Sequence, residues 1–170
     1  MKVEINMINV EDGDAIFVGL KRETGEKALI VIDGGYGKFY DTNDFRVRKR
    51  LNDILPEYDN KIRLMVCTHY DNDHLVGARK ILEDHHKKIE EIWIHKIEDK
   101  LIDEITKIEI KLAELFTENE SKKVFQNLAG FTSFSGPKII ENYKQLKSFL
   151  SSVRLFGLEN KIVEVYRGCK

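Results

Sequence analysis

The chain opens with "KVEINMINV" and "DAIFVGL", two largely apolar stretches that flank the charged link "EDG". Such stretches broken by a short polar turn predict two strands in antiparallel sheet. After "KRETGEK" the run "ALIVIDGG" predicts a third strand. It carries no polar alternation, so both of its faces are expected to be covered, which favours a layered α/β architecture over an open hairpin.

Further along, "DFRVRKRLNDILPEY" spaces Phe45, Val47, Leu51, Ile54 and Leu55 among charges, the pattern of a short amphipathic helix stopped by Pro56. "KIRLMVCTH" predicts a central strand. "HLVGARKILEDHHKK" predicts a helix with Leu75, Val76, Ala78, Ile81 and Leu82 on its buried side, Asp73 at its N-cap, and His85 and His86 as a solvated pair near its end. "IEEIWIHK" returns as a strand. Strand, helix, strand is a βαβ unit, so the loop "THYDND" is expected at the carboxyl end of a sheet strand, where open α/β sheets place ligands.

From residue 97 the pattern changes, because Ile97, Leu101, Ile105, Ile108, Leu112 and Leu115 recur at near-heptad spacing among Glu and Lys. This predicts a helix with one apolar stripe, packed on its own sheet or on "SKKVFQNLAGF", or else used to dimerise. A loop "GFTSFSGP", a helix "KIIENYKQLKSFLSSV" and a strand "KIVEVYRG" follow.

Composition narrows the class. A chain of 170 residues, 42% hydrophobic, has room for one domain, expected to span 1–170. Charged residues make up 34% but nearly cancel to a net charge of -1, so nothing electrostatic announces a nucleic-acid or anionic-membrane partner. The start lacks the apolar stretch of a secretion signal and "ALIVI" is too short to span a bilayer, so the expectation is a cytoplasmic protein without membrane contact. Cys67 and Cys169 make no disulfide framework, and Cys67 is expected to be a small buried residue. "DGGYGKF" misses the spacing of a phosphate-binding loop, and no G-x-S-x-G elbow occurs. The basic run "RVRKR" reads as a solvated face; were nucleic acid the substrate, phosphate contacts would be sought there first.

The candidate chemistry lies in "CTHYDNDHLVG", which packs His69, Asp71, Asp73 and His74 into six positions. Residues two apart in extended backbone point the same way about 6 to 7 Å apart, so His69 and Asp71 can close on one point, with Asp73 and His74 aimed nearby. Imidazole and carboxylate are ligands of Zn²⁺, Mn²⁺ and Fe²⁺, and four of them without a cysteine point to metal, with ligands enough for two ions. Two ions a few ångströms apart can share a hydroxide and clamp an oxygen as it gains charge. Asp73 alone is an ordinary helix cap and Asp71 with Asn72 an ordinary turn pair, but neither histidine is explained that way.

"THYDNDHLVG" resembles the H-x-H-x-D-H signature of the metallo-β-lactamase superfamily, with Asp71 where many members have a second histidine. The T-H-x-D-x-D-H-x-x-G form is similar to the hydrolase domain of bacterial competence proteins for DNA uptake and their free-standing relatives. "INVEDGDAIFV" and "LIVIDGG" resemble that subgroup's upstream motifs, in the right order over roughly the first 95 residues. The resemblance implies an αββα sandwich and a metal-dependent hydrolase whose metal-bound hydroxide attacks a phosphodiester or other ester-like bond. By the same resemblance, His69 and Asp71 would hold one ion and Asp73 and His74 the other, with Asp73 also orienting the attacking water. Zinc is the default and the carboxylate-rich set admits manganese. By the same resemblance Asp14, Asp33 and Gly34 would shape the site from neighbouring strands, Asp33 either as a partner to a ligand histidine or as a turn residue, and Asp14 as a turn or core-edge residue.

The superfamily also takes a histidine, a bridging aspartate and a late histidine from its second half, whereas this sequence has no histidine after His95. His95, ending "IWIH", could reach the site. The expectation is therefore the N-terminal half of a metallo-β-lactamase fold with a helical insertion over 97–128, completed by self-association or by a missing C-terminal half. The alternative to an enzyme is a catalytically incomplete module that acts through protein association.

Overall fold

The structure is a computed structural model that describes residues 1–41, 46–95 and 136–165. The insertion at 97–128, the stripe from Ile97 to Leu115, Phe45 and Cys169 lie outside the described residues. The chain divides into two compact units, Met1–Lys96 with Gln145–Lys170, and Ile97–Lys144. The first unit carries the sheet.

Six strands, β1 (Lys2–Met7), β2 (Ile16–Lys21), β3 (Lys27–Ile32), β4 (Leu64–Cys67), β5 (Ile92–His95) and β6 (Ile162–Val165), form one sheet in their sequence order. β1 to β3 are antiparallel, and β3 to β6 run parallel. The hairpins predicted from the apolar stretches are present, as is the βαβ unit. Helices α1 (Lys38–Asp41) and α2 (Arg46–Ile54) cross from β3 to β4, α3 (Asn72–His85) crosses from β4 to β5, and α4 (Gly136–Leu155) precedes β6. Right-handed crossovers that always step the same way along a sheet lay their helices on the same face.

That face holds the core. Phe17, Leu29, Val31, Met65 and Ile92 project into it fully buried, with Cys67 beside them as expected. Val47 and Leu51 of α2, Leu75, Ala78, Ile81 and Leu82 of α3, and Leu146, Phe149 and Val153 of α4 supply the opposing apolar surface. Arg79 of α3 donates to Ser148 of α4, and Ser152 donates to Glu83 at 3.1 Å, which locks the two helices side by side. The basic run of α2 is largely engaged: Arg46 donates to the Asn9 carbonyl at 2.7 Å, Arg48 pairs with Asp84 at 3.2 Å, and Arg50 donates to Asn6.

The other face contradicts the expectation drawn from "ALIVI". Leu29 and Val31 are fully buried, but Ala28, Ile30 and Ile32 point away from the helices and are only half-buried. One-sided crossovers leave this second face without a helix among the described residues. Apart from His95 near its far edge it is apolar, with Ile5 opposite Val18, Val18 opposite Ile30, Ile30 beside Leu64, and Val66 beside Trp93.

Two local expectations are also corrected. The N-cap of α3 is Asp71, two residues before Asp73, because the Asp71 carbonyl accepts from the amides of His74 and Leu75 at 3.1 and 2.9 Å. His85 is no solvated residue: at 6% exposure it continues the stripe of Ala78, Ile81 and Leu82 into the core. His86, one position on, is half-buried and stacks on Phe156 with ring centroids 4.1 Å apart.

Candidate metal centre

The site forms where β3 and β4 end. Pairing of Ile32 with Val66 sets Asp33 level with Cys67, and its side chain reaches Thr68 one residue further along. Asp33 takes a left-handed backbone at φ 53°, which Asp tolerates better than most residues and which turns the chain out of the sheet. Its amide donates to the Val66 carbonyl at 2.9 Å.

Beyond this corner the backbones of the glycine turn and α3 touch directly. The Gly34 amide donates to the His74 carbonyl at 3.1 Å, and the Gly77 amide donates to the Gly35 carbonyl at 2.9 Å. A Cβ at Gly77 would lie 1.9 Å from the Gly34 oxygen, and one at Gly34 would lie 2.1 Å from the Ala78 nitrogen. Only two glycines permit this contact, which presses the first turn of α3 against the corner and brings His74 onto Asp33.

Asp33 is fully buried, and its carboxylate is surrounded by donors. One oxygen accepts the Thr68 amide at 2.9 Å; the other accepts the Thr68 hydroxyl and Nδ1 of His74, the latter at 3.0 Å. A carboxylate only accepts, so His74 donates through Nδ1, and in the neutral ring Nε2 is the nitrogen that carries the lone pair. Thr68 spends its one hydroxyl proton on Asp33. Its oxygen, 2.8 Å from Nδ1 of His69, must therefore accept from that ring, which fixes the second histidine in the same tautomer.

The two imidazoles lie with centroids 3.6 Å apart, tilted by 46°. His74 is buried and His69 is exposed, so the pair runs from the core to solvent. Among the described residues, Asp33, His69 and His74 are the group whose donor atoms all lie within 4.8 Å of one another. Asp73 has an oxygen 3.5 Å from Nε2 of His74, and Asp14 has one 3.9 Å from Nδ1.

The sequence-predicted ligands thus divide. His69 and His74 come together, Asp73 touches His74 on its Nε2 side, and Asp71 caps α3 outside the three-residue group. His95 ends β5 on the face away from the helices, paired with Val165, and is not in the group either. Asp33 takes both parts: its left-handed backbone makes the turn after β3 and its carboxylate holds His74. The sequence reading misses Thr68, whose hydroxyl links the two histidines through Asp33.

The donor set suits a divalent ion. Two histidine nitrogens with fixed tautomers and a neighbouring carboxylate are borderline-to-hard ligands of the kind zinc and manganese take. His74 has the outer carboxylate partner that ligand histidines usually have, and His69 reaches it through a hydroxyl. A scan against protein-family models and a search of curated proteins find no match to the chain.

Proposed function

We propose that the chain is a metal-dependent hydrolase module of the metallo-β-lactamase type, acting on a phosphodiester or another ester-like bond, with DNA or RNA among the substrates this admits. The observation that carries the reading is the His69–Thr68–Asp33–His74 chain of hydrogen bonds, which leaves one unprotonated nitrogen on each of two adjacent histidines. His69, His74 and Asp73 would hold the ion, with Asp71 as a further carboxylate from the cap of α3. A bound zinc or manganese ion supplies Lewis acidity toward the substrate oxygen and lowers the pKa of water.

The protein's own groups do the positioning. Asp33 and Thr68 keep both imidazoles in the ligating tautomer and resist their rotation. Asp73, on the first turn of α3 and partly open to solvent, would orient a water and accept its proton. His69 forms the solvent-facing wall on which a substrate would approach.

The test is a calorimetric titration of zinc and of manganese into the wild type and into His69→Ala, His74→Ala and Asp73→Ala, followed by assay of bis(p-nitrophenyl) phosphate hydrolysis. Binding that each substitution weakens at least tenfold, with turnover lost in Asp73→Ala, is expected. No metal binding, or binding indifferent to all three changes, would sink the reading.

A second reading has its own observation. The open apolar face of the sheet favours a module that works in association, either with a second copy or with a C-terminal half. Metal binding without turnover by the chain alone, and turnover on association, would select it.

A further inference from the structure

We propose that the open face of the sheet is a dimer interface, covered by the same face of a second copy of this chain. The inference stands apart from the metal reading, since it uses a different surface and is tested on metal-free protein.

β1 is the most telling element. Its alternation is inverted relative to a strand that serves only its own core: Glu4 and Asn6 face the helix layer, while Val3, Ile5 and Met7 face outward at 47%, 65% and 74% exposure. Asn6 receives Arg50 from α2, and Glu4 receives Tyr58 at 2.9 Å, which fixes the orientation of the strand. A one-residue slip would bury the three apolar side chains against the helices, and these polar pairs hold the register against it. On the far side of the sheet Trp93, Val163 and Val165 are also exposed, at 39%, 42% and 38%. Apart from Met1 and Leu155, every large apolar residue exposed among the described residues lies on this face.

Its size and chemistry fit a second copy. Strands spaced about 4.8 Å apart and some 13 to 20 Å long give the face a flat outline of roughly 500 Å². That is near the top of what monomers leave open, and side-chain relief and rim bring it towards the roughly 800 Å² per partner of a stable interface. Within β2 to β5 the face carries no Asp, Glu, Lys or Arg, and its polar groups there are His95 and the Trp93 indole, which donates to Glu91 just before β5, so its occupant must be largely apolar and nearly flat. Two aligned sheets pack at about 10 Å with a shallow crossing angle, and a two-fold axis matches this face to itself in width, twist and polarity. With a net charge of -1, two copies repel little.

Trp93 is the chain's one tryptophan and sits on the face, so the protein carries its own reporter. The experiment is sedimentation equilibrium of the metal-free 170-residue chain from about 0.1 to 100 µM, with Trp emission and acrylamide quenching over the same range. A monomer–dimer equilibrium is expected, with emission shifting to the red and quenching rising as the dimer dissociates. Ile5→Glu and Val163→Glu, at exposed positions on opposite edge strands, should weaken the dimer by about 100-fold or more, because each buries two unpaired charges across the axis. Far-UV circular dichroism checks that both variants fold; should either fail, the wild-type quenching series still decides.

A monomeric mass throughout, with Trp93 either open or shielded at every concentration, overturns the proposal; the shielded case would mean another segment of the chain covers the face. A dimer untouched by both edge variants but broken by Leu101→Glu with Leu112→Glu overturns it as well, placing the interface on the stripe.

Discussion

Nδ1 of His74 lies 3.0 Å from a carboxylate oxygen of Asp33, across 41 residues of sequence, and both side chains are buried. This single hydrogen bond joins the end of β3 to the first turn of α3 and settles which nitrogen of the ring is available. Asp33→Asn tests it with little change in shape, because Asn also tolerates the left-handed backbone that Asp33 adopts. An amide turned to accept from Thr68 cannot serve all three donors as the carboxylate does. Metal affinity should fall by about 10- to 100-fold with the circular dichroism spectrum unchanged, as calorimetry would report.

The contact between Gly34 and Gly77 predicts a reversal of the ordinary helix rule. Glycine to alanine inside a helix is normally favourable by about 1 kcal/mol. At Gly77 the added methyl would sit 1.9 Å from the Gly34 oxygen, a backbone atom that cannot swing aside. Gly77→Ala should therefore destabilise the protein by about 2 kcal/mol or more, read from urea unfolding midpoints. A stabilised variant would mean that the turn and helix are not in backbone contact.

His85 predicts a pH effect with a definite sign. Burial, aided by the neighbouring Lys88 charge, pulls its imidazole down from 6.5 to about 4. Both ring nitrogens are buried without a hydrogen-bond partner. Between these two values the unfolded chain binds a proton that the folded chain does not, so stability is lost as pH falls through that window and is flat above it. The loss attributable to His85 should be on the order of 2 kcal/mol by pH 4, after allowance for screening at the helix end. His85→Leu, which removes both orphaned nitrogens at similar volume, should shrink the stability difference between pH 7 and pH 5 in paired urea titrations.

Metal should also stabilise the fold by mass action. At a concentration 100-fold above its dissociation constant an ion adds about 2.7 kcal/mol, or on the order of 5 to 10 °C in Tm for a domain of this size. Zinc should raise the Tm of the wild type and chelator should reverse it. His69→Ala should lose the shift while keeping the metal-free Tm, because His69 is exposed and its removal opens no cavity.

The strands, the βαβ unit and the placement of "THYDND" at a strand's end were all legible, because each rests on local periodicity or on an apolar run. Thr68 was not, because its role depends on the register of β3 against β4, which no local pattern specifies. His85 and His86 look alike as neighbours in sequence, yet α3 ends between them, so one completes the helix's core stripe and the other stacks on Phe156. Asp71 and Asp73 likewise look like equal members of one cluster, and it is the start of α3 that makes one a cap and the other a neighbour of His74. The open face escaped for a related reason: an unbroken apolar run signals burial on two sides, whereas the described residues lay helices on only one.

The sheet's sequential order bears on how the molecule comes into being. Each strand joins the free edge left by the one before it, so nothing has to be inserted between strands already paired. Asp14, Asp33, Thr68, His69 and His74, together with the glycine contact that presses them together, all lie within the first 78 residues. During synthesis, which proceeds from the N-terminus at about 5 to 20 residues per second, this corner has all its parts before β5, α4 and β6 have left the ribosome. The corner that joins Asp33 to His74 is thus a product of early folding, while the exposed sheet face reaches its full width only with the last strand.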